Sequence, residues 1–389
     1  MALTINIPDT LRKQVEASSQ GKNTVMYTAK NQPCYMYVQE KFNDEFLGTT
    51  HLAFIVGGVE KSYIYLGMYL GHSRNGEMLS LPGVDPVNTI THDAAVDLAR
   101  ANGTGWHAMN NLERAAVAQS CRAAGFQPRG NNNYGRSSDR TTERGVDTVT
   151  GLLAPTTGTT TNRTRTGSGP TSWRHTNSAF GMSDLNGCVW EWSPGMRVVA
   201  GEIQLFSSNG TSFDNNTLAL PASAMAGNSF GTGANAGWYA INGATGAPLV
   251  PTYTGSISAA GVLSSYVVTT VGSVRYATAT SAQDYTFWRA SGQSFEAMAQ
   301  GTGAQVSGTA LAVCKAHGIF PAASLLGGTI AAPVANGDGF YLSTTIEALP
   351  FRGGHFTDSS LSGVFALACS NPRSYAGNVT IGARPALIL

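Results

Sequence analysis

The chain has 389 residues, of which 42% are hydrophobic and only 12% are charged, and 46 of them are glycine. This composition supports a buried core and excludes a disordered chain, and its low charge favours a protein rich in strands and loops. The net charge of +1 provides no basic surface for binding by counterion release, so we expect no nucleic-acid partner.

Residues 1–45 are predicted to form a small β-rich segment. The start, Met1–Asp9, lacks the basic and apolar regions of a secretory signal, and no run reaches the roughly 18 apolar residues of a membrane span. Thr24–Thr28 and Cys34–Gln39 are short β-rich runs separated by turn-forming residues, which indicates a hairpin. A hairpin this small buries little apolar surface by itself. We therefore expect it to dock on the main domain or on a symmetry mate.

Strand and helix signals alternate in the segment that follows. His51–Val56 and Ser62–Tyr69 predict strands. Thr91 is a suitable N-cap for a first helix that ends near residue 102. Asn110 and Glu113 have the spacing of a capping box at the start of a second, alanine-rich helix.

The remainder of the chain is poorer in regular patterns. Residues 130–172 consist largely of Asn, Gly, Thr and Arg, which predicts long loops. Residues 200–349 are rich in Gly, Ala, Ser and Thr and are interpreted as a large insertion, in which Gly261–Val271 and Thr309–Val313 are candidate strands. Residues 350–389 are predicted to form strands joined by tight turns.

The sequence contains few signals of catalysis. There is no P-loop, and the seven histidines have none of the spacings that place two imidazoles on one metal. The five cysteines lack a C-x-x-C pair and are predicted to be buried free thiols of a protein made in a reducing compartment. They are Cys34, Cys121, Cys188, Cys314 and Cys369.

One short stretch combines aromatic and oxygen-bearing side chains. Trp190 and Trp192 flank Glu191, and Asp184 and Asn186 precede them. The structural interpretation is that the two indole rings anchor the core while Glu191 accepts hydrogen bonds from buried backbone donors near a turn. The alternative is a calcium site formed by the oxygens of Asp184, Asn186 and Glu191. The two interpretations are compatible.

Two arginines flank the final segment. Arg352 precedes Gly353 and Arg384 precedes Pro385, so each lies beside a turn residue. Because a guanidinium group carries five donors in a fixed fork, we predict that these arginines hold several loop carbonyls.

Three blocks in order resemble a known family. They are Gly105–Glu113 (GWHAMNNLE), the run GMSDLNGCVWEW that ends at Trp192, and RGG at Arg352 followed by IGARPAL at Ile381–Leu387. This order is similar to the formylglycine-generating-enzyme (sulfatase-modifying factor) branch of the C-type lectin fold, whose middle block reads roughly G-x-x-D-x-x-G-N-V-W-E-W. The resemblance covers about residues 50–195 and 350–389. It implies an α+β, C-type-lectin-like domain with long loops.

The chain is more similar still to the phage variable proteins that diversity-generating retroelements diversify. Their C-terminal segment alternates constant motifs with variable positions, and the constant motifs correspond here to residues 352–354, 363–367, 371–374 and 381–387. The resemblance implies that the residues between these motifs vary. The first gap holds His355, Phe356, Thr357, Asp358, Ser360, Leu361 and Ser362; the second holds Ala368 and Ser370; the third holds Tyr375, Gly377, Asn378, Val379 and Thr380.

The chemistry of the gaps agrees with this implication. The constant motifs are Gly, Arg and apolar residues, whereas the gap residues are chemically mixed and follow no helical or strand period. A surface that tolerates such mixture is expected to be exposed and supported by a rigid scaffold. His355, Phe356 and Tyr375 are side chains that binding surfaces favour.

The chain also departs from the family pattern. Cys188 replaces the usual Asn, Phe356 stands in place of Trp, and Ala383 stands where Phe is frequent. The enzymes of this fold use paired cysteines with copper or a histidine set with iron. Cys314 and Cys369 show no such pairing motif, so we expect no enzyme activity and no required cofactor.

The sequence therefore predicts four segments: residues 1–45 for docking or oligomerisation, 46–199 and 350–389 as the two parts of the lectin-like domain, and the insertion 200–349. The predicted function is that of a phage tail-tip adhesin which binds a host-surface protein or glycan. It would assemble in the host cytoplasm with other virion tail proteins, as a homo-oligomer that could be a trimer, because several copies raise avidity. The alternatives are a metal-dependent oxidase and a purely structural virion protein.

Overall fold

The computed structural model describes residues 7–215, 237–258, 261–280, 283–322 and 337–389. Over these residues the protein is a mixed α+β structure in which strands greatly outnumber helices, and the predicted α+β class is confirmed. The predicted segments 1–45 and 200–349 extend in part outside the described residues.

Four α-helices lie in the described part of the chain, and side-chain caps define the starts of two of them as predicted. The side chain of Thr91 accepts a hydrogen bond from the backbone N–H of Ala94 at 3.2 Å, and Asn110 forms a capping box with Glu113. Such caps depend only on residues three apart in sequence. The helices are α1 (Ile7–Ser18), α2 (His92–Arg100), α3 (Asn111–Ala123) and α4 (Gly308–Ala316).

The strands are short and are separated by many turns. Those of the first half are β1 (Asn23–Tyr27), β2 (Pro33–Glu40), β3 (Ile55–Val56), β4 (Val59–Glu60), β5 (Tyr63–Gly67), β6 (Gly71–Arg74), β7 (Glu77–Ser80), β8 (Trp106–Ala108), β9 (Trp190–Trp192) and β10 (Met196–Val199). Those of the second half are β11 (Glu202–Phe206), β12 (Trp238–Ile241), β13 (Pro248–Leu249), β14 (Tyr253–Ile257), β15 (Leu263–Val268), β16 (Arg275–Ala277), β17 (Thr286–Trp288), β18 (Gln293–Ser294), β19 (Ala299–Gln300), β20 (Gly339–Leu342), β21 (Glu347–Gly353), β22 (Gly363–Asn371), β23 (Ile381–Gly382) and β24 (Pro385–Leu387).

Two large sheets organise the described residues. The smaller has the order β1-β2-β5-β24-β8, so it joins the N-terminal hairpin to the last strand of the chain. The larger has 13 strands and contains β9–β13 and β16–β23. The hairpin β1–β2 was predicted, and it docks on the main domain through β5, with Met36 opposite Gly67.

Some local predictions are wrong. Thr309–Val313 is part of α4 and not a strand, because Ser307 caps a helix whose alanine-rich sequence packs on the core. His51–Val56 begins as a 3₁₀ turn capped by the His51 side chain, and only its last two residues form β3. The helix α1 precedes the hairpin, so residues 1–45 are not purely β-rich. Short apolar runs do not distinguish helix from strand.

The C-terminal segment is interleaved with earlier parts of the chain. β21 pairs with β9 and β10, β22 pairs with β20 and β21, and β24 pairs with β5 and β8. β21 runs across the predicted boundary at residues 349/350 without a break in the sheet. β20, from the predicted insertion, lies directly beside β22. These pairings surround the predicted variable residues with strands from distant parts of the sequence.

Candidate functional site

The first arginine of the predicted constant motifs, Arg352, is buried on β21 and joins three parts of the chain. Its Nη2 and Nε donate to Asn111 Oδ1 at 2.7 and 3.0 Å, at the start of α3. Its Nη2 also donates to the carbonyl oxygen of Gly318 at 2.8 Å, and its Nη1 donates to that of Phe365 at 3.3 Å. Burial lowers the pKa of Arg352 to about 10, which leaves it charged at neutral pH. Arg352 thus binds several groups at once, including loop carbonyls, which is the role that the sequence predicts for it.

The second arginine of the predicted constant motifs, Arg384, holds the WEW strand β9. It donates to both carboxylate oxygens of Glu191, and its Nη1 and Nη2 donate to the carbonyl oxygens of Gly67 and Ser183 at 3.0 and 2.8 Å. Arg114 Nη1 donates to Glu191 Oε1 at 3.2 Å. Glu191 is therefore a buried anchor for two arginine side chains, whereas the structural interpretation of this stretch predicted backbone donors.

A third arginine in the constant motifs, Arg373, anchors the loop that carries the third gap. Its Nε and Nη2 donate to Glu347 Oε2 and Oε1 at 2.7 and 2.6 Å. Arg197 on β10 donates to the same carboxylate at 3.3 Å. All three side chains are buried, so the loop between β22 and β23 begins from a fixed point.

Residues from all three predicted gaps line one surface cavity of about 200 Å³. We call it the gap cavity. Its rim and walls also include Asn371 and Ile381, and the gap residues that line it are His355, Asp358, Ala368, Ser370, Tyr375 and Thr380.

The other eight predicted residues do not line the gap cavity. Thr357, Ser360 and Asn378 are exposed, and Leu361, Gly377 and Val379 are half-buried. Phe356 and Ser362 are buried, with 5% and 1% of their surface exposed, so the expectation of exposure fails for these two. Contacts with other residues account for the burial of both side chains. The Ser362 hydroxyl donates to the carbonyl oxygen of His355 at 3.2 Å, and the Phe356 ring packs on Tyr134.

Aromatic rings form much of the cavity wall. The ring centroid of Trp190 is 5.9 Å from that of Tyr341 and 6.2 Å from that of Phe351, and Phe351 is 6.2 Å from Tyr375. Trp190 and Phe351 are almost completely buried, whereas Tyr375 is 40% exposed. The buried rings thus form the floor and Tyr375 stands at the rim.

The space between these rings depends on a small residue. Ala368 on β22 stands opposite Phe351 on β21 and opposite Tyr341 on β20. Paired residues in neighbouring strands project on the same face of a sheet. A methyl group at this position therefore leaves room between two aromatic side chains, and a larger side chain would occupy it.

His355 and Asp358 form the ionisable pair of the cavity. His355 Nδ1 accepts the backbone N–H of Thr357 at 3.2 Å, which assigns the ring proton to Nε2, 3.2 Å from Asp358 Oδ1. The backbone N–H of His355 donates to Asp358 Oδ2 at 2.8 Å. Burial raises the pKa of Asp358 and lowers that of His355. The imidazole is therefore neutral at pH 7.

Sequence reasoning did not identify Tyr341 and Phe351 as cavity residues, and it assigned Trp190 only a structural role. Tyr341 belongs to the segment interpreted as an insertion. The available signal was the run Gly339–Leu342, a short aromatic and apolar stretch typical of a buried strand. No local pattern indicates which strand would pair with it.

The carboxylate oxygens of two candidate calcium ligands, Asp184 and Glu191, accept hydrogen bonds within the protein, whereas Oδ1 of the third, Asn186, is buried without a hydrogen-bond partner among the described residues. Asp184 Oδ2 accepts two hydrogen bonds of 2.8 Å each, and the Asn186 amide group donates to a backbone carbonyl at 3.0 Å. The Glu191 carboxylate is held by two arginines, with which a cation would have to compete. A calcium ion at these residues stays a prediction.

All five cysteines are buried and unpaired. Cys314 lies on α4 and Cys369 on β22, and burial raises the pKa of Cys369 to about 12. Within the ranges that the structure describes, no three or more His, Cys, Asp and Glu side chains are grouped as metal ligands.

No described helix is long and apolar enough to cross a membrane. Comparison with known proteins adds no family assignment. No family model matches the chain, and no curated protein matches it significantly.

Proposed function

We propose that this protein binds a host-surface protein or glycan as a phage tail-tip adhesin and that the gap cavity and its surroundings are its retroelement-diversified binding face. The observation that carries the proposal is the convergence of six predicted variable residues, from three separate gaps, on one cavity. A diversified face requires variable side chains that are close in space and a scaffold that does not depend on them.

The scaffold requirement is supported by the buried arginines. Arg352, Arg373 and Arg384 donate hydrogen bonds to Asn111, Glu347 and Glu191, which lie outside the gaps. Substitution of a gap residue would leave these contacts in place. The fold and the binding chemistry can therefore change independently, as a variable protein needs.

We also propose that the α+β structure is a C-type-lectin-like fold of the formylglycine-generating-enzyme branch. The blocks that carry the resemblance contact one another. β8 in the first block pairs with β24, and β9 in the middle block pairs with β21 and β23. Arg352 further bonds Asn111, which belongs to the first block.

In this proposal the protein is a component of the virion tail. It assembles in the host cytoplasm with other tail proteins, and its copies form a homo-oligomer, with a trimer as the candidate state. Modest affinity at each site is then multiplied by the effective concentration of neighbouring sites.

A binding experiment separates the adhesin from its alternatives. Alanine replacements of Asp358, Ser370 and Tyr375 should abolish binding of the purified protein to host envelope fractions, with no loss of thermal stability. The matched control replaces Thr254 and Ser264 by alanine, two exposed residues of the β14–β15 hairpin. If the hairpin variant loses binding and the cavity variant keeps it, the insertion makes the contacts and the proposal fails.

Sequencing of the gene in a propagated population provides a second test. Substitutions confined to the gap codons, beside a near-copy repeat and a reverse transcriptase gene, would support the proposal. Uniform codons with no such neighbour would contradict diversification. Metal analysis of the purified protein would then test the oxidase alternative.

A further inference from the structure

The gap cavity presents aromatic rings to any group that enters it. Trp190, Tyr341 and Phe351 are linked through centroid distances of about 6 Å, and Tyr375 continues the series at the rim. The face of an aromatic ring carries negative electrostatic potential and attracts cations within about 6 Å of its centroid. Four rings around a small cavity therefore favour a positively charged guest.

The charged group of the cavity, the Asp358 side chain, also favours a positively charged guest. Asp358 supplies a carboxylate, and none of the described residues that line the cavity is Lys or Arg. His355 has a lowered pKa and is neutral at pH 7, so it does not neutralise the carboxylate. Arg373, at the start of the third-gap loop, directs its guanidinium group to Glu347.

The carboxylate is also held in one position. The backbone N–H of His355 contacts one oxygen at 2.8 Å, and His355 Nε2 contacts the other at 3.2 Å. A carboxylate fixed in advance loses little conformational entropy when a ligand binds. Asp358 is largely buried, and burial of an anion is unfavourable unless a cation compensates it.

We propose that the gap cavity binds an organic cation, an alkylammonium or guanidinium group, with Asp358 as its counter-ion and the rings of Trp190, Tyr341 and Tyr375 as its walls. This inference rests on the proposed function, since it names the chemistry of the group that enters the binding face. A lysine or arginine side chain of a host-surface protein and a quaternary ammonium headgroup share this chemistry. A neutral sugar could stack on the rings but would leave the carboxylate without compensation.

Calorimetric titration of the full chain at pH 7 tests the inference. The cationic probes are the N-acetyl methylamides of lysine and arginine, and choline. The neutral probes are the norleucine derivative, which matches lysine without its charge, and a methyl glucoside. We expect at least one cation to bind about tenfold or more tightly than either neutral probe, and the preferred cation distinguishes a side chain from a headgroup.

Substitutions in the cavity assign the interaction. Asp358→Asn keeps the shape but removes the charge and should weaken cation binding about tenfold or more. Tyr375→Ala should weaken it several-fold and Tyr375→Phe should not, because the ring and not the hydroxyl attracts the cation. The control is Asp97→Asn, an exposed carboxylate on α2. Circular dichroism melting checks that each variant is folded.

The outcomes separate this inference from the proposed function. Cation binding that Asp358→Asn weakens and Asp97→Asn leaves unchanged supports the inference. Equal affinity for lysine and norleucine probes, or unchanged cation binding by Asp358→Asn, overturns it. If no cation binds while the protein still binds host envelope fractions through the cavity residues, the inference fails and the adhesin proposal stands. Loss of both kinds of binding rejects both.

Discussion

Arg384 Nε donates to Glu191 Oε2 at 2.8 Å although 193 residues separate the two in sequence. Arg384 Nη2 donates to the second carboxylate oxygen at 3.2 Å, and both side chains are buried. A buried charge without its partner is strongly unfavourable. This ion pair therefore keeps the end of the chain beside β9 and supports the floor of the gap cavity, because Trp190 is the neighbour of Glu191.

Loss of this anchor should destabilise the whole fold. Glu191→Gln removes the counter-ion of both Arg384 and Arg114, and we expect a decrease of about 3–5 kcal/mol in the free energy of unfolding. Urea denaturation measures this change. The control is Glu60→Gln, which removes the partner of Lys41 from an exposed pair and should alter stability little. Similar losses in both variants would contradict the anchoring role.

The size of residue 368 should control access to the cavity. Ala368→Leu places a larger side chain between Phe351 and Tyr341, so we expect ligand binding to be lost while the protein remains folded. The matched control is Ala366→Leu two residues earlier on β22, which is buried and does not line the cavity. Overpacking there should reduce stability by about 1–3 kcal/mol. Binding retained by Ala368→Leu would show that the cavity is not the binding site.

Stability should fall as pH rises toward neutrality because of a pair of buried carboxyl groups, of which Glu296 is the one that can be followed to a definite pH. Burial raises the pKa of Glu296 to about 7, and Asp338, whose pKa is also raised by burial and by Glu296, lies near it. Glu296 Oε1 and Asp338 Oδ1 have no hydrogen-bond partner in the described structure. An unfolded glutamate titrates at roughly 4.3. From that pH to about 7 the unfolded chain loses a proton that the folded protein keeps.

The expected decrease in the free energy of unfolding is on the order of 3–4 kcal/mol across this interval. The protonated Glu296 contributes its full stability below the unfolded pKa of roughly 4.3. This contribution is lost as the pH rises through the folded pKa of about 7. Urea denaturation at several pH values measures the slope. Glu296→Gln should flatten it, and an unchanged slope would assign the effect to other groups.

The thiols should be unreactive in the folded protein. All five are buried, and burial raises the pKa of Cys34, Cys121, Cys188 and Cys369 to about 12. Only the thiolate reacts readily with a disulfide reagent. We expect almost no modification of the native protein within minutes and modification of all five thiols in denaturant. Rapid native reaction at Cys314 or Cys369 would instead favour the oxidase alternative.

Elements set by neighbours in sequence were predictable. The caps of α2 and α3 and the hairpin β1–β2 each depend on residues a few positions apart. The same reasoning failed at Thr309–Val313, which is part of α4. A short apolar run there is compatible with a strand or a helix, and the packing of the helix on the core decides between the two.

By itself the sequence determined the α+β composition and the helix caps, whereas the division of the C-terminal segment into constant motifs and gaps stays a prediction from the family resemblance. Only the tertiary structure decided that six gap residues share one cavity, that Phe356 and Ser362 are buried, and that β20 of the predicted insertion supplies Tyr341 as a wall. The reason is physical. Caps and turns arise from local hydrogen bonds, whereas the cavity depends on strand pairing and buried ion pairs between residues that lie far apart in the chain.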